Sequence, residues 1–193
     1  MISHQHKFIF VHIPKCGGTS VENFFGAWED REEFCLGVST RQHWTLEQIF
    51  NKYPDCKHYF KFTFVRNPFS RIVSEYFYIK KEKQKYENKT IISFKEFCLN
   101  LDDSLDKYAY TFHHRTIADY LNEYPIDFIG RLESFQDDFN LVCDKIGIER
   151  QELPYTNKTK HKHYTEYYDE ETREIVAEKY AKDIEYFGYK FGE

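Results

Sequence analysis

The 193-residue sequence predicts an α/β fold of three layers, with helices on both faces of a central, mainly parallel sheet. Three observations carry this. Short apolar runs of strand type alternate with stretches whose apolar residues recur at helical spacing. Two of the strand candidates run straight into turns that open helices, as parallel βαβ units do. No internal repeat or low-complexity tract interrupts the pattern, and the length suits one domain, residues 1–193, with a sizeable core.

The first unit spans roughly residues 7–29. An apolar run from Phe8 leads into a turn containing Gly17-Gly18, and Val21, Phe24, Phe25 and Trp28 then fall at i, i+3, i+4 and i+7 of a helix. Residues 30–42 form a polar connection. Thr45-Leu-Glu-Gln48 is a capping box, and Leu46, Ile49, Phe50 and Tyr53 make a helical face that Pro54 closes. Tyr59 to Val65 alternates, with Phe60, Phe62 and Phe64 on one side of a second strand. Arg66-Asn-Pro-Phe-Ser-Arg71 follows at once; Pro68 suits a first helical turn, and Phe69, Ile72, Val73, Tyr76 and Phe77 supply the apolar face.

Residues 80–90 are Lys-rich and read as a mobile surface segment. Ser93-Phe-Lys-Glu96 is another capping box, backed by Phe94, Phe97, Cys98 and Leu101. Ile117, Tyr120 and Leu121 mark a short amphipathic stretch after His113-His114-Arg115. Ile126 to Ile129 is a third strand ended by Gly130, and Ser134 to Ile146 a helix stopped by Gly147. Residues 151–168 read as loop, and a last helix over about 170–184 buries Val176, Tyr180 and Ile184.

Composition narrows the functions. Net charge is −5, so general polyanion binding and a nucleic-acid partner are not expected, and any anion site must be a local concentration of cations. The five cysteines are scattered and lack C-x-x-C spacing, which points away from a disulfide framework or zinc site and towards a reducing compartment. No signal peptide or membrane anchor is visible, and a cytoplasmic location is expected.

Strand, tight turn and helix start in Phe8 to Ser20 gather unpaired amides at one spot beside Lys15, a geometry that suits a phosphate. An ordinary βα turn that happens to contain Gly-Gly and Lys fits the same residues. The loop is not a Walker A motif, because its lysine precedes the glycines. In parallel sheets ligands sit beyond the carboxyl ends of the strands, where both special turns, 14–20 and 66–71, lie.

Taken together, His12-Ile-Pro-Lys-Cys-Gly-Gly-Thr-Ser20 and Phe64-Val-Arg-Asn-Pro-Phe-Ser-Arg-Ile-Val-Ser-Glu-Tyr76 resemble the sulfotransferases that use 3′-phosphoadenosine 5′-phosphosulfate (PAPS). The match is to the group holding the Golgi carbohydrate sulfotransferases and their bacterial relatives. Phe128-Ile-Gly-Arg-Leu-Glu-Ser-Phe and the stretch from Tyr164 to Tyr189 fit the same group, so the resemblance spans about residues 8–189 and is weakest at 80–125. It implies a P-loop-like α/β/α fold, PAPS as co-substrate without a metal, and a hydroxyl or amine acceptor, first of all a carbohydrate or small hydroxyl compound.

The resemblance also implies roles. Lys15, Cys16, Gly17, Gly18, Thr19 and Ser20 would hold the phosphosulfate, with Lys15 stabilising the charge on the departing phosphate. Arg66, with its bidentate fork, and Ser74 would hold the 3′-phosphate, and Lys158 and Thr159 would touch the nucleotide from a late loop. Arg71 could instead pair with Glu75 on the surface. Sulfuryl transfer to a hydroxyl needs a base, and His43 is the first candidate. His113 and His114 are the second, or else contacts to the acceptor, while His12 reads as structural. Two rival classes remain: a kinase or nucleotidase with a degenerate P-loop, whose strand acid for Mg²⁺ could only be Asp127, and a non-catalytic nucleotide-binding module.

Overall fold

The computed structural model describes residues 1–34, 42–86, 92–101, 111–154 and 161–193. Four strands form one sheet in the order β1 (Ile2–Ser3), β2 (Phe8–Val11), β3 (Phe60–Val65) and β4 (Phe128–Arg131). β2, β3 and β4 run parallel; β1 is an antiparallel edge strand. The register pairs Phe10 with Phe62 and Phe62 with Phe128. With side chains alternating along each strand, Phe8, Phe10, Phe62 and Phe64 share one face, and Ile9, Val11, Thr63 and Val65 share the other. All eight are buried, so neither face meets water, which is the condition of a parallel sheet layered between helices. This is the three-layer α/β/α class that the sequence predicts.

Eight α-helices are described: α1 (Gly18–Phe24), α2 (Leu46–Lys52), α3 (Pro68–Tyr86), α4 (Phe94–Leu99), α5 (Ile117–Leu121), α6 (Phe135–Ile146), α7 (Glu170–Lys179) and α8 (Ala181–Phe187). None of them is long and apolar enough to cross a membrane. The chain gathers into two compact units, Met1–Arg66 with Ile117–Asn157, and Asn67–Thr116 with Lys158–Glu193. The first holds the sheet. Its phenylalanine face is covered by Phe25, at the end of α1, on Phe8 at 4.8 Å and by Phe135 of α6 on Phe64 at 4.8 Å, and the two helices meet through Phe24 and Phe139 at 4.7 Å. The tilted Phe8–Phe25 pair and the two edge-to-face pairs add to the burial of the rings themselves.

The second unit packs α3, α4 and α7 around Ile72, Val73, Phe97, Tyr164, Val176 and Tyr180. The Asn67 side chain accepts the Phe69 amide at 3.1 Å and so starts α3. Charged groups lie inside this unit. Arg71, 1% exposed, donates from Nη2 to the Arg115 carbonyl at 2.7 Å and sits 4.9 Å over the Tyr180 ring. Glu75, equally buried, accepts from His113 Nδ1 at 2.9 Å. The surface location that the sequence left open for Arg71 and Glu75 is therefore corrected: both are interior, and each meets a group from the turn at 113–115.

Other boundaries differ for visible reasons. β1 is too short to show a period. α1 stops at Phe24 and does not reach Trp28, because Gly26 turns left-handed (φ 63°) and the Ala27 amide closes back on the Glu22 carbonyl at 2.9 Å. α3 continues through the Lys-rich segment to Tyr86, since Lys, Glu and Gln are good helix formers. β4 starts at Phe128, two residues later than read, because Asp127 turns aside to bind Lys61 at 2.7 Å. The last helix is two, divided at Tyr180, whose hydroxyl donates to the His114 carbonyl at 3.0 Å.

Burial lowers the His114 pKa from its ordinary 6.5 to about 4, and Nε2 of this ring has no hydrogen-bond partner among the described residues. An unfolded chain takes up this proton below pH 6.5, the folded chain only near 4, so stability is full above 6.5 and falls as pH drops towards 4. The expected loss is roughly 3 kcal/mol across that window. Urea titrations of wild type and His114→Leu at several pH values check this: the loss between pH 6.5 and 4 shrinks in the variant.

Candidate functional site

β2 leads into the turn from His12 to Gly17. Two residues there are left-handed, Lys15 at φ 64° and Gly17 at φ 84°. Gly17 takes this conformation at no steric cost, whereas Lys15 is strained, as residues at functional turns often are. The Cys16 amide donates to the Ile13 carbonyl at 3.3 Å, and the Ser20 amide to the Gly17 carbonyl at 3.0 Å. The amides of Gly17, Gly18 and Thr19 make no hydrogen bond among the described residues. Between Cys16 and Ser20, whose own amides are bonded, these are three consecutive amides of the kind that can meet an anion.

Both glycines are required by close approach. A Cβ on Gly17 would stand 2.6 Å from the Phe135 ring, and one on Gly18 only 2.1 Å from the His12 ring. Arg66, just past β3, donates from Nη1 to the Lys15 carbonyl at 3.3 Å. One turn's guanidinium therefore reaches the other turn's backbone, and Lys15 and Arg66 meet at the carboxyl ends of adjacent parallel strands.

His43 stands beside this loop. The Thr45–Gln48 capping box fixes the start of α2 at Leu46, three residues later. His43 Nδ1 lies 3.0 Å from the His12 carbonyl, and a carbonyl only accepts, so Nδ1 carries a proton and, whenever the ring is neutral, Nε2 has the lone pair. The two imidazoles meet edge to face at 4.4 Å. Behind them, His12 Nδ1 bonds Glu22 Oε1 at 2.7 Å, and Gln42 Nε2 donates to Glu22 Oε2 at 2.6 Å. Burial alone pushes the Glu22 carboxyl up; the charge and hydrogen bond of His12, with Gln42, more than offset this and hold it below its ordinary range.

Of the residues singled out by sequence, Lys15, Cys16, Gly17, Gly18, Thr19, Ser20, His43 and Arg66 come together in the first unit. Ser74 lies in the second, buried on α3, as do His113 and His114, buried in the turn before α5. Lys158 and Thr159 lie outside the described residues. Sequence reading missed Glu22 and Gln42, because their partners are ten and twenty residues away and no local spacing marks them. Asp127, the acid a magnesium site would need, is at the amino end of β4 and held by Lys61. Among the described residues no group of three or more His, Cys, Asp or Glu is arranged to hold a metal ion.

Fold and site define an α/β protein with a glycine-containing turn, three of whose amides have no partner among the described residues, at the sheet's carboxyl edge. Residues 1–190 match the model of the sulfotransferase family, and the chain belongs to that family. It is similar to an uncharacterized protein of Archaeoglobus fulgidus, 33% identical over 97 residues that make up 48% of this chain and 72% of that one. A solved sulfotransferase of Alicyclobacillus acidocaldarius shares 14% identity, with a TM-score of 0.47, over 96% of this chain and 87% of that one.

Close approach at the loop can be separated from backbone strain. Gly17→Ala and Gly18→Ala are each expected to cost about 2 kcal/mol or more in urea unfolding, since ring and backbone must move apart. Gly147→Ala, at positive φ like Gly17 but with open space around it, should cost only about 1 kcal/mol. Equal costs at all three positions would contradict the packing described.

Proposed function

We propose that the chain transfers a sulfuryl group from PAPS to an acceptor hydroxyl or amine, a carbohydrate hydroxyl being the first candidate. The observation that carries this reading is that the amides of Gly17 to Thr19 have no partner among the described residues, that Arg66 reaches the Lys15 carbonyl in the same turn, and that His43 is bonded through Nδ1 to the carbonyl of His12, whose ring packs beside Gly18. PAPS has anionic groups at both ends of a nucleoside and a labile P–O–S bridge. The amides and the hydroxyls of Thr19 and Ser20 take the phosphosulfate. Arg66 and Ser74 take the 3′-phosphate, and Lys158 and Thr159 make further nucleotide contacts.

The reaction is one in-line displacement. The acceptor oxygen or nitrogen bonds to sulfur as the bridging S–O bond breaks, and the acceptor proton passes to His43 Nε2. The electron pair of the broken bond stays on the departing phosphate. Lys15 stabilises that charge, which is greatest at and after the transition state, so the interaction accelerates transfer instead of merely tightening binding. His114 suits the base poorly, because burial holds its pKa near 4, and His113 is engaged by Glu75. The turn carrying these two is assigned to the acceptor side, which their buried rings would shape.

Transfer of ³⁵S-sulfate from PAPS to a panel of sugars, phenols and amines tests the reading. Lys15→Ala and Arg66→Ala should each abolish transfer, the latter mainly by weakening binding of 3′-phosphoadenosine 5′-phosphate (PAP). His43→Ala should lower turnover roughly 10²- to 10⁴-fold and leave the PAP Kd within about twofold. Thermal stabilisation by Mg–ATP but not by PAP, with no transfer to any acceptor, would overturn it.

A further inference from the structure

We infer that Glu22 is a positioning residue for His43, acting through two tethers, His12 and Gln42. This goes beyond the family assignment and rests on the proposed role of His43 as base. Glu22 is 0% exposed, and each of its carboxylate oxygens is bonded. Oε1 takes the His12 Nδ1 proton at 2.7 Å; Oε2 takes a proton of the Gln42 amide at 2.6 Å. An ionised carboxylate only accepts, so both protons belong to the partners.

The two partners act on one ring. His12 supplies the carbonyl that accepts from His43 Nδ1 at 3.0 Å, and its own ring lies edge to face against the His43 ring at 4.4 Å. Gln42 is the residue directly before His43 in the chain. A single buried carboxylate thus holds both the acceptor that sets the His43 tautomer and the backbone that delivers its ring. The same His12 ring fills the space beside Gly18, where a Cβ would stand 2.1 Å from it, so Glu22 also holds the loop backbone and the imidazole in one register. A solvated glutamate on α1 would bond neither partner, and a buried carboxylate held only for stability would not need to face the residue before the base.

The chemistry of the pair implies a specific failure. Glu22→Gln keeps an acceptor for His12 but presents an amide NH₂ to the Gln42 amide, so one tether becomes a donor facing a donor unless Gln42 turns over. Gln42→Leu cuts the same tether while leaving the His12–Glu22 bond in place. In both, His43 loses part of its restraint, while the three loop amides and Arg66 keep their positions. The double exchange Glu22→Gln with Gln42→Glu restores one carboxylate, one amide and both bonds in the same pocket.

Two readouts decide it. By ¹⁵N NMR of labelled histidine at a pH where the ring is neutral, His43 in the wild type should be the Nδ1–H tautomer, and Glu22→Gln should give a mixture. In steady-state assays Glu22→Gln and Gln42→Leu should lower kcat roughly 10- to 100-fold with the PAP Kd within about threefold, and the double exchange should recover most of the loss. An unchanged tautomer together with an unchanged kcat in folded Glu22→Gln and Gln42→Leu overturns the inference. So does a double exchange that recovers nothing while folding normally. If the tautomer shifts as expected but no PAPS-dependent transfer is found in the wild type, the positioning role stands and the proposed reaction falls.

Discussion

The hydrogen bond between His12 and Glu22, 2.7 Å long and out of reach of water, is the constraint on which the candidate site depends. It joins the end of β2 to α1 across the turn that both flank. A bond to a charged group in such surroundings is worth more than a neutral one, and removing one partner leaves a buried charge uncompensated at a cost of about 3–5 kcal/mol. The His12 ring cannot swing away, so Gly18 has to be glycine, and the following amides are held where an anion can meet them. The same ring supports His43. Loop shape and base orientation are two consequences of one buried pair.

A second constraint is electrostatic. The chain carries a net charge of −5, yet Lys15 and Arg66 are drawn to the same strand ends. Short-range geometry overrides the global sign, because parallel strands bring residues separated by some fifty positions to one edge of the sheet. An anion bound at the proposed site would be held by local donors and fixed dipoles, not by a broad positive field. A compact ligand with an anionic group at each end fits this better than a long polyanion.

Much of this was legible in the sequence. The strand–turn–helix units were, because apolar period and glycine or proline punctuation are local signals; β2 begins at Phe8 as read, and β3 (Phe60–Val65) and α6 (Phe135–Ile146) each begin one residue inside the stretches Tyr59 to Val65 and Ser134 to Ile146 read from the sequence. So were Lys15, the glycine pair and Arg66, which stand in two motifs read as a pair. Helix ends were less so: α1 stops early because Gly26 adopts a left-handed cap, and α3 runs on because Lys-rich sequence is good helix as well as good surface. Glu22, Gln42, Glu75 and Arg71 were opaque. Each is a polar residue whose burial is decided by a partner on another element, and spacing along one helix cannot report that.

The central claim is that Gly17, Gly18 and Thr19 offer their amides to the 5′ end of the nucleotide. Titration of ¹⁵N-labelled protein with PAP, without magnesium, tests it most directly. The account predicts the largest amide shifts at these three residues, accompanied by the Arg66 side chain, and their loss in Arg66→Ala. Saturable PAP binding that leaves all three amides unmoved would contradict it.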